Sequence, residues 1–366
     1  MGPENYIERG GAMEISFIIP VYNGEKFIRR CIRAIRRWER EEQIEILIID
    51  DGSVDSTGKI CDEEAAEDGR IKVYHIENCG QGLARNYGLR AASGKYICFA
   101  DADDWSDTDS IYRLWKQAED VRADVVMGSY YRVNGETREW VHAAGEGLMK
   151  REGTAAETGL YHKVKTESMF GYVWNKLYRR QFLREHDIWM DDIRSMNMED
   201  FLFNMKVWSH YPVFYCMDCP VCYYVTDHAS TTRKSDPQIH TKSVNMICSL
   251  VSYLEGEGVL EENLDMVVPL IMRSFCWSMI KNIPFEGKSL RRLEERAGTF
   301  AYAAETEKAL GTAKASEQLK TLPSALQRWF YLFCMCALKR KLIKIISLFF
   351  YICYPLMKRY VSAVLK

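Results

Sequence analysis

The chain has 366 residues, 47% of them apolar and 27% charged, an ordinary globular composition with room for two or three domains. The net charge of −2 hides a split: nine Lys and Arg follow Glu317 with no acid among them, which leaves −11 on the chain before it. That balance implies no nucleic-acid partner and describes an acidic body with a basic tail suited to an anionic surface.

Residues 1–12 read as a polar leader without a signal-peptide pattern. Together with twelve cysteines in no compact framework, this predicts a reducing, cytoplasmic setting with free thiols. Residues 14–24 read as a strand that Pro20 closes and Asn23-Gly24 turns. Phe27, Ile28, Cys31, Ile32, Ile35 and Trp38 then recur at helical spacing among Arg and Lys, which predicts an amphipathic helix. A second strand, 44–50, ends in Asp50-Asp51-Gly52-Ser53. Asp55-Ser56-Thr57 opens a helix to about Asp68, and 71–76 is a third strand. Residues 78–88 pass from loop into helix. Gly80 and Gly82 permit close backbone approach there, and a helix amino end with Arg85 suits an anion.

The fourth strand, 95–100, is apolar and stops abruptly at Asp101, Asp103 and Asp104. Three carboxylates so close repel one another unless a cation joins them. A hard ion such as Mg²⁺ or Mn²⁺ prefers oxygen ligands and shares them with substrate phosphates. A metal–diphosphate site is therefore one reading, and an acidic turn capping the next helix is the other. The strand–helix alternation predicts a mainly parallel sheet with crossover helices, whose polar strand ends share one edge. Asp51, Arg85 and the acids 101–104 should converge there, where open α/β sheets bind ligands. Neither a P-loop nor a Gly-x-Gly-x-x-Gly after the first strand is present, which disfavours both familiar nucleotide folds.

Residues 16–23 (SFIIPVYN), 48–53 (IIDDGS), 82–88 (GLARNYG) and 101–105 (DADDW) resemble, in order and spacing, the successive motifs of family 2 glycosyltransferases. The resemblance implies an α/β GT-A nucleotide-sugar-binding fold, Rossmann-like, with a mainly parallel sheet flanked by helices. It also implies an activated donor, usually a UDP-sugar, a divalent metal (Mg²⁺ or Mn²⁺) and inversion. Pro20, Val21, Tyr22 and Asn23 would then form the nucleotide-facing stretch, with Val21 and Tyr22 lining the base. Asp51 would accept a hydrogen bond from that base. Gly82 and Arg85 would face the diphosphate. Asp103 would serve the ribose side and the metal, and Asp104 the metal, with Asp101 supporting both; the division among the three stays open.

Beyond Trp105 a helix is predicted through Ile111, Leu114, Trp115 and Ala118, then a strand over 123–127. Residues 132–165 are polar and Gly-rich and read as a flap or acceptor-side insertion. Residues 170–180 resemble the Trp-x-Lys-Leu-Tyr-Arg element of bacterial members, where Lys176 would touch phosphate or acceptor or anchor a surface pair. Asn197-Met198-Glu199-Asp200 matches the family's Glu-Asp motif at a helix start. An inverting transfer needs a base for the acceptor hydroxyl. Asp200 is assigned that role and Glu199 its orientation or acceptor binding, the alternative being a helix cap aided by the dipole.

Residues 213–225 read as an aromatic strand. Its Cys216, Cys219 and Cys222 lack a fourth metal ligand and read as buried. Residues 228–233 resemble a Ser-x-Thr segment without its usual Arg, and His228 offers a spare metal ligand. A helical region follows over 233–323. Residues 324–366 read as basic amphipathic helices that lie on a membrane rather than span it.

The expected architecture is thus a leader, a catalytic domain over 13–232 (nucleotide half 13–105, acceptor half 106–232) and helical appendages. The expected activity is transfer to a glycan or lipid-linked acceptor at the inner face of the cytoplasmic membrane. Two rivals stand beside it. A haloacid-dehalogenase-like phosphohydrolase also places Asp-x-Asp at a strand end, but normally on the first core strand, and it leaves Asp51 and Asp200 idle. A catalytically dead sugar-nucleotide-binding scaffold is opposed by the intact set Asp101, Asp103, Asp104 and Asp200.

Overall fold

The computed structural model describes residues 13–40, 43–143, 145–149, 168–192, 194–196, 198–226, 236–320, 322 and 324–364, with 357–364 as helix backbone only. The expected leader, the 228–233 segment and the 150–167 part of the expected flap lie outside these residues. The chain forms two compact units, Met1–Met190 with Tyr211–His228, and Asp191–His210 with Ala229–Lys366. Residues 191–210 therefore group with the carboxyl-terminal helices, which the expected division at 232 did not anticipate.

The first unit alternates strand and helix as far as α4: β1 (Met13–Val21), α1 (Ile28–Arg36), β2 (Gln43–Asp50), α2 (Thr57–Glu67), β3 (Ile71–His75), α3 (Gln81–Ala91), β4 (Tyr96–Phe99), the short β5 (Trp105–Ser106) and α4 (Thr108–Val121). It continues through β6 (Val125–Asn134), β7 (Thr137–Val141), β8 (Gly147–Met149), β9 (Lys176–Arg179) and β10 (Phe214–Val225). All ten described strands join one sheet, ordered β3-β2-β1-β4-β9-β6-β10-β5, with β7 on β6 and β8 on β10. Strands β3, β2, β1 and β4 run parallel, as their apolar runs require when both faces are covered. The four-residue β9 is inserted antiparallel to both β4 and β6. Much of the expected flap is strand: β6 runs on to Asn134, turns at Gly135 (φ +58°) and pairs with β7. Residues 137–140 of β7 are exposed, so no apolar alternation marks that ribbon in the sequence.

Charge pairing locks the helices where burial places them. α1 buries Ile28, Cys31, Ile32 and Ile35 and turns Arg29, Arg33 and Arg36 outward. All three arginines reach the buried Glu64 of α2, at 2.8, 3.1 and 2.5 Å. α3 lies so close on β1 that a Cβ at Gly88 would sit 2.4 Å from Ile18 Cγ2. Cys216, Cys219 and Cys222 are buried along β10 as free thiols, and they form no metal-ligand cluster among the described residues.

The second unit holds the helix Glu199–Ser209 and the carboxyl-terminal helices, among them Ile239–Gly256, Leu264–Ile280, Leu290–Ala301, Ala325–Lys339 and Ile343–Val364. Phe275 is central to its core, with ring centroids 5.3 Å from Phe300 and 5.7 Å from Phe350. No described helix is long and apolar enough to cross a membrane.

At the edge away from the acidic strand ends, Glu45 of β2 binds the parallel strands together. Its buried carboxylate accepts from the Ser16 hydroxyl (2.7 Å), the Ser93 N–H (2.7 Å) and Lys72 Nζ (2.8 Å). Burial opposes its charge, but Lys72 and the Ser93 and Ser16 donors prevail and hold its carboxyl down at about 2. Glu45→Gln should therefore lower unfolding free energy at pH 7 by about 1–3 kcal/mol in urea denaturation. Because the folded carboxyl lies below its ordinary 4.5, this stabilisation is complete above that pH and is lost as pH falls toward 2. The gap between variant and parent should close over that window.

Candidate active site

The ends of β1 and β2 clasp each other through backbone-directed hydrogen bonds. The Asp51 N–H donates to Val21 O at 2.8 Å, extending the pairing one step beyond the sheet. Asn23 sits in the left-handed region (φ +49°); its N–H donates to Ser53 Oγ and its Oδ1 accepts from the Val54 N–H, each at 2.9 Å. Pro20 and Val21 are buried while the Tyr22 ring, 53% exposed, stands free at the strand end. Asp50, which the sequence reading passed over, holds the turn: it accepts from the Ser53 N–H (3.0 Å) and meets His75 Nδ1 (2.8 Å). The bond to Asp50 raises the His75 pKa, helped by Asp62 and opposed by burial.

Asp51 is buried and turned toward the amino end of α3. Its Oδ1 accepts from the Cys79 N–H at 2.7 Å and its Oδ2 from the Gly80 N–H at 2.9 Å. Asn78 Nδ2 adds a bond to the Asp51 carbonyl. Gly80 has φ +90°, a backbone state that L side chains rarely adopt. Asp51 thus shapes the turn that delivers Gly82 and Arg85 to the strand ends.

Arg85 is wholly buried, and its Nη2 donates to Asp101 Oδ1 at 2.7 Å. Gln81 Nε2 approaches the same oxygen at 3.3 Å. Rather than standing in solvent as an anion receptor, Arg85 holds Asp101 in place. Asp103 is exposed, and its carbonyl accepts from Arg30 Nη2 at 2.6 Å, with the Arg30 guanidinium 4.3 Å over the Trp105 ring. Asp104 is buried: Oδ1 accepts from the Val225 N–H at 2.7 Å, and Oδ2 is buried with no hydrogen-bond partner. Burial, then Asp101 and Asp103, push its carboxyl well above the usual range. An unsatisfied buried carboxylate oxygen is costly, and a divalent cation would relieve it. The three acids are not gathered around one point, since among the described residues their ligand atoms do not all lie within 4.8 Å of one another. A cation held by one or two carboxylates together with phosphate oxygens needs no closed protein cage. Asp104 and Asp103 fit that donor set.

Around these acids stand two aromatic stacks. Trp105, Tyr223 and Tyr131 follow one another with centroids 5.0 Å apart. Tyr172, Trp174 and Tyr224 stack at 4.8 and 5.4 Å. Lys176 is neither a surface anchor nor exposed to ligand: it is 1% exposed, bonded to Asn175 Oδ1 at 2.8 Å and to the Tyr172 carbonyl. It sets the bend that carries the second stack.

Glu199 and Asp200 belong to the second unit. They open a helix whose N-cap, Met198, is left-handed (φ +59°, ψ +44°), a strained state for a non-glycine residue and one found at functional sites. Glu199 is buried, Asp200 is half-buried, and the Asp200 carbonyl accepts from Asn204 Nδ2 at 3.0 Å. Asp191, unremarked in the sequence, braces this helix through Lys206 (2.6 Å) and Ser249 (2.7 Å).

Residues 16–187 match the sequence family described as Glycosyl transferase family 2. An uncharacterized glycosyltransferase of Bacillus subtilis, EpsJ, is 37% identical over 196 residues, which is 52% of this chain and 55% of that protein. Glycosyltransferase GlyA of Streptococcus pneumoniae is 34% identical over 200 residues, 53% of this chain and 28% of that one. The chain thus spans 55% and 28% of the length of these two relatives. The crystal structure of S. aureus TarS 1-349 in complex with UDP-GlcNAc superimposes with a TM-score of 0.66 at 17% identity, covering 91% of this chain and 90% of that one. The fold is GT-A.

Asp51→Asn replaces one of the two acceptors facing Cys79 and Gly80 with a donor. It should cost about 1–3 kcal/mol and speed amide exchange at those two residues specifically, as read by hydrogen exchange.

Proposed function

We propose that this chain, whose residues 16–187 match the Glycosyl transferase family 2, acts as an inverting, metal-dependent glycosyltransferase. It moves a sugar from a nucleotide-sugar, of the UDP class, to a hydroxyl of a glycan or lipid-linked acceptor in cell-surface polysaccharide synthesis. The observation that carries this reading is the buried, unpartnered Oδ2 of Asp104 at the end of β4, beside two further carboxylates. The UDP class is supported by TarS, a structural neighbour solved with UDP and with UDP-GlcNAc.

In this reading Asp104 and Asp103 would hold Mg²⁺ or Mn²⁺, whose positive charge would offset that of a leaving diphosphate. Tyr22 offers its ring to the base. Asp51 shapes the backbone turn before α3, and Arg85 keeps Asp101 in place beneath the diphosphate. Asp200 takes the proton of the acceptor hydroxyl as that oxygen bonds to the anomeric carbon, while Glu199 orients it. The carbon–oxygen bond to the diphosphate breaks on the opposite side, so the anomeric centre inverts. The work is placed at the inner face of the cytoplasmic membrane, where a lipid-linked acceptor would be met.

A panel of nucleotide-sugars with Mn²⁺, scored for slow donor hydrolysis and thermal shift, tests this without knowledge of the acceptor. Phosphate release from simple esters with no sugar donor would replace it with the phosphohydrolase reading. Donor binding without turnover on any acceptor pool would replace it with the scaffold.

Asp104→Asn keeps an acceptor for the Val225 N–H and removes a buried charge. It should raise the melting temperature of the metal-free protein at neutral pH yet abolish the thermal shift that Mn²⁺ gives with UDP. Retention of that shift removes the metal assignment. Asp200→Asn should keep donor binding and lose 10²–10⁴-fold in turnover, on the order expected for a general base; unchanged turnover excludes it.

A further inference from the structure

Residues 343–356 of the helix Ile343–Val364 are apolar nearly all round, a pattern that belongs to a helix covered on every side. Only one side is covered. Ile346 and Phe350 are fully buried, and Phe350 packs on Phe275 and Phe330 at 5.7 and 5.9 Å. On the opposite side Ile345, Leu348, Ile352 and Leu356 recur at one helical face and are 55%, 48%, 63% and 77% exposed. The preceding helix Ala325–Lys339 extends the patch. Its Trp329, 59% exposed, stacks on Phe333, which lies 4.9 Å from Phe349. A contiguous apolar area of this kind marks an interaction surface.

The charges beside it identify the partner. Lys339 and Arg340 stand exposed at the turn joining the two helices, and Lys344 at the rim of the stripe. None of the three has a carboxylate partner among the described residues, and no acid follows Glu317. We propose that this face seats on an anionic lipid bilayer, with the stripe and Trp329 in the headgroup–acyl boundary and the three bases on lipid phosphates. A second copy seated through the same face would offer these bases an equally basic segment with no Asp or Glu after Glu317, so nothing on it would receive their charge. Insertion across the bilayer is opposed by the buried side, which the body of the second unit already occupies. This inference rests on the proposed membrane-side work of the enzyme and names the surface that performs it.

The test is sedimentation of the full chain with phosphatidylcholine vesicles, with and without phosphatidylglycerol. Binding should need the anionic lipid and weaken with salt. The triple change Lys339→Gln, Arg340→Gln, Lys344→Gln should lower partitioning on the order of a hundredfold. Leu348→Glu with Ile352→Glu should abolish it, with circular dichroism and donor hydrolysis unchanged. Quenching by brominated lipid should fall in Trp329→Phe. No sedimentation with anionic vesicles while donor hydrolysis persists overturns the surface and leaves the catalytic reading standing. Vesicle binding without turnover of any nucleotide-sugar does the reverse. A dimer that Leu348→Glu with Ile352→Glu dissociates, with no vesicle binding, also overturns it.

Discussion

Mutual repulsion among the acids at the end of β4 is the constraint around which the first unit is arranged. Each carboxylate is managed differently. Asp101 is neutralised by the buried Arg85, Asp103 is exposed, and Asp104 is drawn inside, where its Oδ1 accepts a single N–H. That N–H comes from Val225 at the far end of β10, 121 residues on. The bond therefore ties the end of β4 to the aromatic strand β10 that continues the sheet. Taking a carboxylate out of water costs several kcal/mol. The largely buried strands β1, β2 and β4 supply the stability against which that cost is borne.

The contrast with Glu45 shows why the two edges of the same parallel strands have different meanings. Glu45 is as buried as Asp104, yet it is met by two serines and a lysine, and its carboxyl is held down at about 2. Asp104 has one donor and two like-charged neighbours, and its carboxyl is pushed up. A satisfied buried acid is a structural clamp. An unsatisfied one at the carboxyl end of a parallel strand, where α/β sheets take their ligands, is the mark of a candidate functional site.

Most of this was legible in the chain itself, because apolar runs that stop at Asp50-Asp51 and at Asp101 announce strand ends on one edge. What was hidden depends on pairing between distant segments. Nothing near Lys176 says that β9 enters the sheet backwards between β4 and β6, or that the lysine turns inward to the Tyr172 carbonyl. Arg85 reads as an anion receptor because Arg at a helix start usually is one. Only the fold shows Asp101 already in its grasp. Asp50 and Asp191 were missed because each acts through partners, His75 and Lys206, that spacing does not reveal. The β6–β7 ribbon was hidden because residues 137–140 of β7 all face water, so that strand carries no buried alternation.

The second unit unites two features that the sequence presents as unrelated. The helix that opens with Glu199 and Asp200 packs on Ile239–Gly256, fastened by Asp191 to Ser249. That helix packs on Leu264–Ile280, whose Phe275 receives Phe350 from the inner face of Ile343–Val364. A continuous run of packed helices thus connects Asp200 to the exposed apolar stripe. Close-packed interiors transmit position rather than absorb it. A unit built this way holds the residue that would activate an acceptor hydroxyl at a fixed distance from the surface that would meet lipid. For an acceptor carried on a lipid, that fixed height is the geometric requirement, since a base on an independently moving arm would meet the hydroxyl only by chance.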